Sequence, residues 1–343
     1  MTKMTRILVS IALVLLLLSG AIFASCAPAS SDQTLITFYA SSVGGTTWTL
    51  SEALTGFINK YSTWLRAENL STSGGNENLR NIGEIPENRA NCIACISGNN
   101  LLIATLGDSP WTQPYHGARI LAIQAKYRNF LVSYDPNIKT PQDMIGKRIA
   151  INTKGAGGNY TQTIPLFEYW GIADQVQFEY LGWSKGAQAL KDGLVDVFWL
   201  WTTGGPNEFY PGTYVTDLTT KGRLTFVTHP PEDIIEAGKL SGYPQFASMC
   251  PAGGFDELLP DYPPNDIWGS SYEFTWSCDE SMDPDITYEI CRIVYEHIDE
   301  FGEFHAEGKN FTREEMAQFG VPESGFHEGA IKFYKEMGIK IGK

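Results

Sequence analysis

The chain has 343 residues, 43% of them hydrophobic and 19% charged, the balance of a globular protein long enough for two domains or two lobes. Its 25 basic and 39 acidic side chains leave a net charge of −14, a field that repels phosphate backbones and argues against nucleic acid as a partner. The same field repels an anionic ligand at long range, so any anion site must rest on local donors.

At the start of the chain, Lys3 and Arg6 precede the apolar run Ile7–Leu18, and small residues follow at Ser19, Gly20, Ala24 and Ser25. This is the pattern of a secretory signal over residues 1–25, with an apolar core too short for a comfortable membrane span; the alternative is an uncleaved anchor helix. Phe23-Ala24-Ser25-Cys26 resembles a bacterial lipobox, with Phe23 where Leu is usual. Cys26 is then the lipidated first residue of an exported protein anchored at the periplasmic or cell-surface side of a membrane. Cleavage after Ala27-Pro28-Ala29 would instead release a soluble product. Residues 26–33 read as a short polar tether.

Three segments then repeat one plan of apolar strand, glycine-rich turn and helix. In the first, Leu35–Tyr39 is the strand, Ala40–Thr47 the turn and Trp48–Tyr61 the helix. In the second, these are Arg148–Ile151, Asn152–Asn159 and Tyr160–Tyr169. In the third, the strand Val195–Trp201 meets the turn Thr202–Pro206. Farther on, Ile290, Ile293, Val294 and Ile298 form the apolar stripe of a helical run from Ile286 to Phe304.

The plan has chemical consequences. A helix start leaves backbone N–H groups unpaired, glycines let a ligand approach them closely, and the helix dipole adds about half a positive charge. Such a turn binds carboxylate or phosphate oxygens, although a tight connection without a ligand looks the same in sequence. Cofactor motifs are incomplete. Gly155–Tyr160 has Tyr160 where a dinucleotide fingerprint needs its third glycine, and Gly146-Lys147 is followed by Arg148 and lacks the Walker glycine. No cofactor is therefore expected. The five histidines show no metal spacing, and no Gly-x-Ser-x-Gly elbow is present. Cys92-Ile-Ala-Cys95 stands without a second pair, so the cysteines read as buried thiols rather than a metal or redox site; whether Cys250 and Cys278 pair stays open.

Taken in order, several pieces resemble the TAXI family, the solute receptors of one class of tripartite ATP-independent periplasmic (TRAP) transporters. They are Val43–Thr46, Leu101–Ser109, Thr140–Ile149, the loop Gly155–Gly158 with Gly171-Ile172, Ala189–Val197 and Phe326–Gly338. The resemblance implies an α/β fold of the two-lobed periplasmic binding protein type II kind, with a ligand cleft between lobes joined by a hinge. Lobe one would take 34–129 and 271–343, and lobe two 130–270, with crossings near Phe130 and Tyr272. It further implies capture of a small organic acid, amino acid or aromatic acid for ion-gradient-driven TRAP membrane subunits, and no enzymatic activity. The sequence departs from the family at Gly157-Gly158-Asn159 and in the tryptophan-rich run Phe198–Trp201.

On this reading the ligand-binding residues are Gly45, Thr46, Thr47 and Trp48 from the first loop, and Gly155, Gly157, Gly158 and Asn159 from the second. Asp108 matches the family's Asp after a strand, but is equally a cap or turn residue. Lys154 reads as an exposed loop lysine or as a charge for the ligand. Trp199 and Trp201 share one face of a strand, and with Trp183 and Tyr127 they line the cleft or fill the sheet core. In the cleft they would suit an apolar or aromatic ligand body with an acidic end. The alternatives to a receptor are an exported enzyme acting through Cys92 or Cys95 and a sensory module on the same fold.

Overall fold

The computed structural model describes residues 33–41, 43, 45–154, 156–203, 211–318 and 320–342. The signal segment, Cys26 and the tether up to Asp32, together with Ser42, Gly44, Gly155 and Gly204–Pro206, lie outside the described residues. Among the described residues no helix is long and apolar enough to cross a membrane.

The first expected unit forms β1 (Thr34–Tyr39) and α1 (Thr46–Tyr61). Leu50, Leu54, Phe57 and Ile58 turn one face of α1 inward and are at most 3% exposed. Burying each such side chain contributes roughly 1.5–3 kcal/mol before entropic costs. Next come β2 (Leu65–Leu70), α2 (Gly75–Gly83), β3 (Cys92–Ser97) and α3 (Gly98–Leu106). The apolar run from Leu101 is thus helical, and the strand lies before it. Ser97 and Asn100 form a reciprocal capping box, while Gly107 ends the helix in the left-handed region at φ 72°.

A long strand, β4 (Ala118–Ser133), leads to the second unit: β5 (Arg148–Ile151), a π turn over Asn159–Thr163 and α4 (Ile164–Tyr169). Then follow β6 (Gln177–Tyr180), α5 (Trp183–Lys191), β7 (Val197–Thr203), α6 (Gly212–Thr219), β8 (Thr225–Phe226), α7 (Pro231–Ser241) and β9 (Phe246–Cys250). A second long strand, β10 (Ile267–Asp279), precedes α8 (Pro284–Glu296), α9 (Phe301–Phe304) and α10 (Glu328–Glu336). The expected helix from Ile286 to Phe304 is therefore broken after Glu296. All four stripe residues are still buried, Ile298 from a 3-10 turn.

The strands hydrogen-bond in the order β2-β1-β3-β10-β4-β7-β5-β6. β1 and β3 are parallel, as are β5 with β6 and β5 with β7, whereas β10 and β4 run antiparallel to each other. This central pair belongs to both halves. The Phe274–Ser277 part of β10 pairs with β3, and its Ile267–Ser271 part pairs with β9; the Tyr127–Val132 part of β4 pairs with β7. Register shifts at Phe274/Thr275 and Trp276/Ser277 mark the transition.

Among the described residues, the largest buried hydrophobic clusters lie on either side of this ribbon. On one side, a single cluster draws on residues between Ile36 and Ile123 and between Trp276 and Tyr334. On the other, two clusters draw on residues between Phe130 and Ile267. The fold is α/β and two-lobed, and β4 and β10 carry the chain between the lobes.

Candidate functional site

Six helix starts face one cavity of about 590 Å³. From the first lobe come Gly45, Thr46 and Thr47 at α1, Gly74 and Asn76 at α2, and Ser97 and Asn100 at α3. From the second come Gly157 and Gly158 ahead of the π turn, Gly182 and Trp183 at α5, and Thr213 with Tyr214 at α6.

Most helices are capped by a Ser, Thr, Asp or Asn side chain that accepts from the first-turn amides. Here the caps of α1, α2 and α5 are Gly45, Gly74 and Gly182, and none makes a side-chain cap. Gly74 (φ 125°) and Gly182 (φ 74°) stand in backbone conformations that side chains rarely adopt. A Cβ on Gly182 would also approach Thr153 Cγ2 to 3.0 Å. The turns thus deliver bare amides and dipole ends to the cavity, the arrangement that holds an anion. Among the described residues, the charged or ionisable side chains at the lining are Glu77, Lys185 and His305, beside the tyrosines. Glu77 already accepts from the Ser73 amide at 2.7 Å, which lowers its pKa together with the Ser73 hydroxyl bond. His305 Nδ1 lies 2.8 Å from Glu307 Oε2, and this carboxylate raises the imidazole pKa.

Part of the lining is aromatic. Trp183 lies 6.0 Å from Trp199 and 6.4 Å from Trp201 between ring centroids. Tyr127 meets Trp201 edge-on at 5.1 Å and stacks on Tyr272 at 5.5 Å. Tyr127 and Tyr272 face each other in register across β4 and β10. Trp199 and Trp201 are only 3% and 6% exposed, so they are at once sheet core and cavity lining.

Of the residues singled out in the sequence, Gly45, Thr46, Thr47, Tyr127, Gly157, Gly158, Trp183, Trp199 and Trp201 are brought together here. Trp48, Asp108 and Asn159 are not lining residues. Trp48 packs on the first lobe's core. Asp108 follows a helix, not a strand, and accepts a hydrogen bond from Tyr243 Oη at 2.6 Å. Asn159 is fully buried and braces its own loop, donating to the carbonyls of Asn152 at 3.0 Å and Thr153 at 2.9 Å. Gly155 lies outside the described residues, and Lys154 is exposed and off the lining, where Lys185 stands instead.

Sequence reasoning missed Ser73–Asn76, Asn100, Gln162, Gly182, Tyr214, Tyr272 and His305. Ser73-Gly74-Gly75 follows the same strand, glycine and helix plan as the recognised loops. Its strand, Leu65-Arg66-Ala67-Glu68-Asn69-Leu70, is polar enough to hide it.

The five described cysteines are free and buried. Burial pushes the Cys95 thiol up to about 12 and raises that of Cys92 as well. Both are thereby poor sources of thiolate at neutral pH. Among the described residues no group of three His, Cys, Asp or Glu side chains is arranged to hold a metal.

The NMT1-like family matches residues 38–338 of the chain. A solved structure from Bordetella bronchiseptica RB50 is similar at 14% identity and a TM-score of 0.50, over 90% of this chain and 99% of that one. MatC from Rhodopseudomonas palustris, solved with bound malate, gives 10% identity and a TM-score of 0.49 over 88% and 96% of the two chains. A TctC solute-binding protein from Polaromonas gives 12% and 0.44 over 84% and 90%.

Proposed function

Because this chain belongs to the NMT1-like family, we propose that it is an exported receptor that captures a small carboxylate-bearing solute between its lobes and releases it unchanged to a membrane transporter. The observation that carries the reading is the convergence of glycine-capped helix starts from both lobes on one cavity of about 590 Å³. That volume lies within the 300–1,000 Å³ usual for small-molecule sites. In this reading lobe one is 34–129 with 271–343, lobe two is 130–270, and β4 with β10 forms the hinge. Bare amides supply the local attraction that the acidic surface does not.

The finer elements of the proposal come from the resemblance to TAXI receptors and from the start of the chain. The membrane partner is a TRAP transporter driven by an ion gradient. Cys26 carries the lipid anchor, which keeps the receptor beside that partner. The enzymatic alternative needed a reactive Cys92 or Cys95, and the burial of both thiols favours the receptor.

A thermal-shift screen of the mature chain against organic acids, amino acids and aromatic acids tests the proposal. One class should raise the melting temperature, by about 2.7 kcal/mol of stabilisation at a hundredfold excess over Kd. Thr46→Ala and Gly157→Asp should remain folded and lose the shift. The second variant puts a carboxylate beside Asn76 and Asn100, whose amide nitrogens lie 3.5 and 3.4 Å from a Cβ built on Gly157. No shift with any class, or an undiminished shift in both variants, would refute the reading.

A further inference from the structure

Building on that receptor reading, we infer that the solute is an aromatic carboxylate with a hydroxyl or N–H donor on its ring. The ring rests on the tryptophan wall and the carboxylate on the helix starts. Three observations narrow the ligand in this way.

The first is the aromatic content of the lining. Trp183, Trp199, Trp201, Tyr127, Tyr214 and Tyr272 all line the cavity and form a continuous array, interleaved with the helix starts. Trp201 stands at its centre, 5.5 Å from Tyr214, 5.1 Å from Tyr127 and 6.4 Å from Trp183. A short aliphatic diacid has no π face to set against such rings. A flat ring meets the same surface through offset or edge-on contacts, each worth more than its buried area alone.

Size is the second. A cavity of about 590 Å³ has room for a ring-bearing acid together with ordered water.

The third is Gln162. It is 2% exposed, it lines the cavity, and its Oε1 has no hydrogen-bond partner. A buried acceptor left unsatisfied is costly, which points to a donor on the ligand. The place of that donor follows from Gly158. A Cβ built there would lie 3.7 Å from Gln162 Oε1 and 3.8 Å from Trp199 Cη2, so the acceptor sits beside the ring wall. A donor carried on the ligand's ring at Trp199 is placed to meet this acceptor.

Calorimetric titration of the mature chain with benzoate, 3- and 4-hydroxybenzoate, cyclohexanecarboxylate and adipate tests this. Benzoate should bind about tenfold more tightly than cyclohexanecarboxylate, which has the same carboxylate and a ring without a π face. One hydroxybenzoate should bind more tightly again, with quenched tryptophan fluorescence. Gln162→Met should erase the advantage of the hydroxyl, read as the ratio of the benzoate and hydroxybenzoate Kd values within the variant. Adipate or cyclohexanecarboxylate binding as tightly as benzoate would overturn the inference while sparing the receptor reading. So would a hydroxyl advantage that survives in Gln162→Met. Failure of all five probes would overturn the inference too, and the wider thermal-shift screen would then decide the receptor reading separately.

Discussion

Ser51 is fully buried where four segments of the first lobe meet. Its hydroxyl lies 2.9 Å from Cys95 Sγ on β3 and accepts from Gln124 Nε2 on β4 at 3.1 Å and from Trp276 Nε1 on β10 at 3.0 Å. Gln124 Nε2 also donates to the Thr47 carbonyl at 3.1 Å, which fixes the first turn of α1 against the hinge strands. The hub explains how amides at Thr46 and Thr47 are held at the cavity without side-chain caps. Ser51→Ala removes the acceptor shared by two buried donors, and a buried donor left unpaired costs about 1–3 kcal/mol. We expect urea denaturation to show a loss of roughly 2–4 kcal/mol with the slope unchanged. A loss below about 0.5 kcal/mol would mean that the two donors find other partners.

Among the elements, the hinge ribbon carries the most unusual titration. Glu273 on β10 faces Lys126 on β4 in register, and Lys126 Nζ lies 3.3 Å from Glu315 Oε1. Burial, with Glu315 adding repulsion and Lys126 opposing it, pushes the Glu273 carboxyl up to about 7. The folded chain therefore holds this proton at pH values where the unfolded chain, titrating near 4.3, has lost it. Folding binds the extra proton, so this contribution to stability is present below the unfolded pKa. It falls away as the pH rises from about 4.5 to about 7, by at most roughly 3 kcal/mol. Glu273→Gln should flatten that part of the melting profile and melt above the wild type at pH 8. Parallel profiles for the two proteins would remove the carboxyl as the cause.

The elements also show what the sequence makes legible. The turns after β1 and β5 could be read because apolar central strands precede them and glycines interrupt the pattern. The turn into α2 has the same chemistry but follows an edge strand, whose half-exposed residues carry no apolar run. Leu101–Leu106, which the resemblance makes a strand before Asp108, is a helix: a short apolar run fits either, and the Ser97–Asn100 capping box decides it. Tyr214, Tyr272 and His305 reach the cavity only through tertiary packing, and nothing local in their surroundings marks them.

For the molecule as a whole, the decisive property is that the lobes touch around the cavity. Tyr243 of the second lobe donates to Asp108 of the first at 2.6 Å. Asn310 Nδ2 and Thr203 Oγ1 approach to 3.4 Å near the hinge, and Gly157 lies against Asn76, Asn100 and Ile103. In the proposed receptor such contacts exist only while the cleft is closed, so they set the fraction of empty receptor in the binding-competent state. The apparent Kd is the intrinsic Kd divided by that fraction. The Tyr243–Asp108 bond is the most readily removed of them, since Tyr243→Phe keeps the ring and loses only the donor. A hydrogen bond of this kind is worth about 1 kcal/mol, so the apparent Kd should rise by up to roughly fivefold. Small-angle scattering should show the ligand-free variant with a larger radius of gyration than the ligand-free wild type, and saturating ligand should bring the two together. Weakened binding with identical scattering would assign Tyr243 a local effect on the site. Unchanged binding and unchanged scattering would show that closure does not depend on this contact, and would leave Gly157 against Asn76 and Asn100 as the junction to test next.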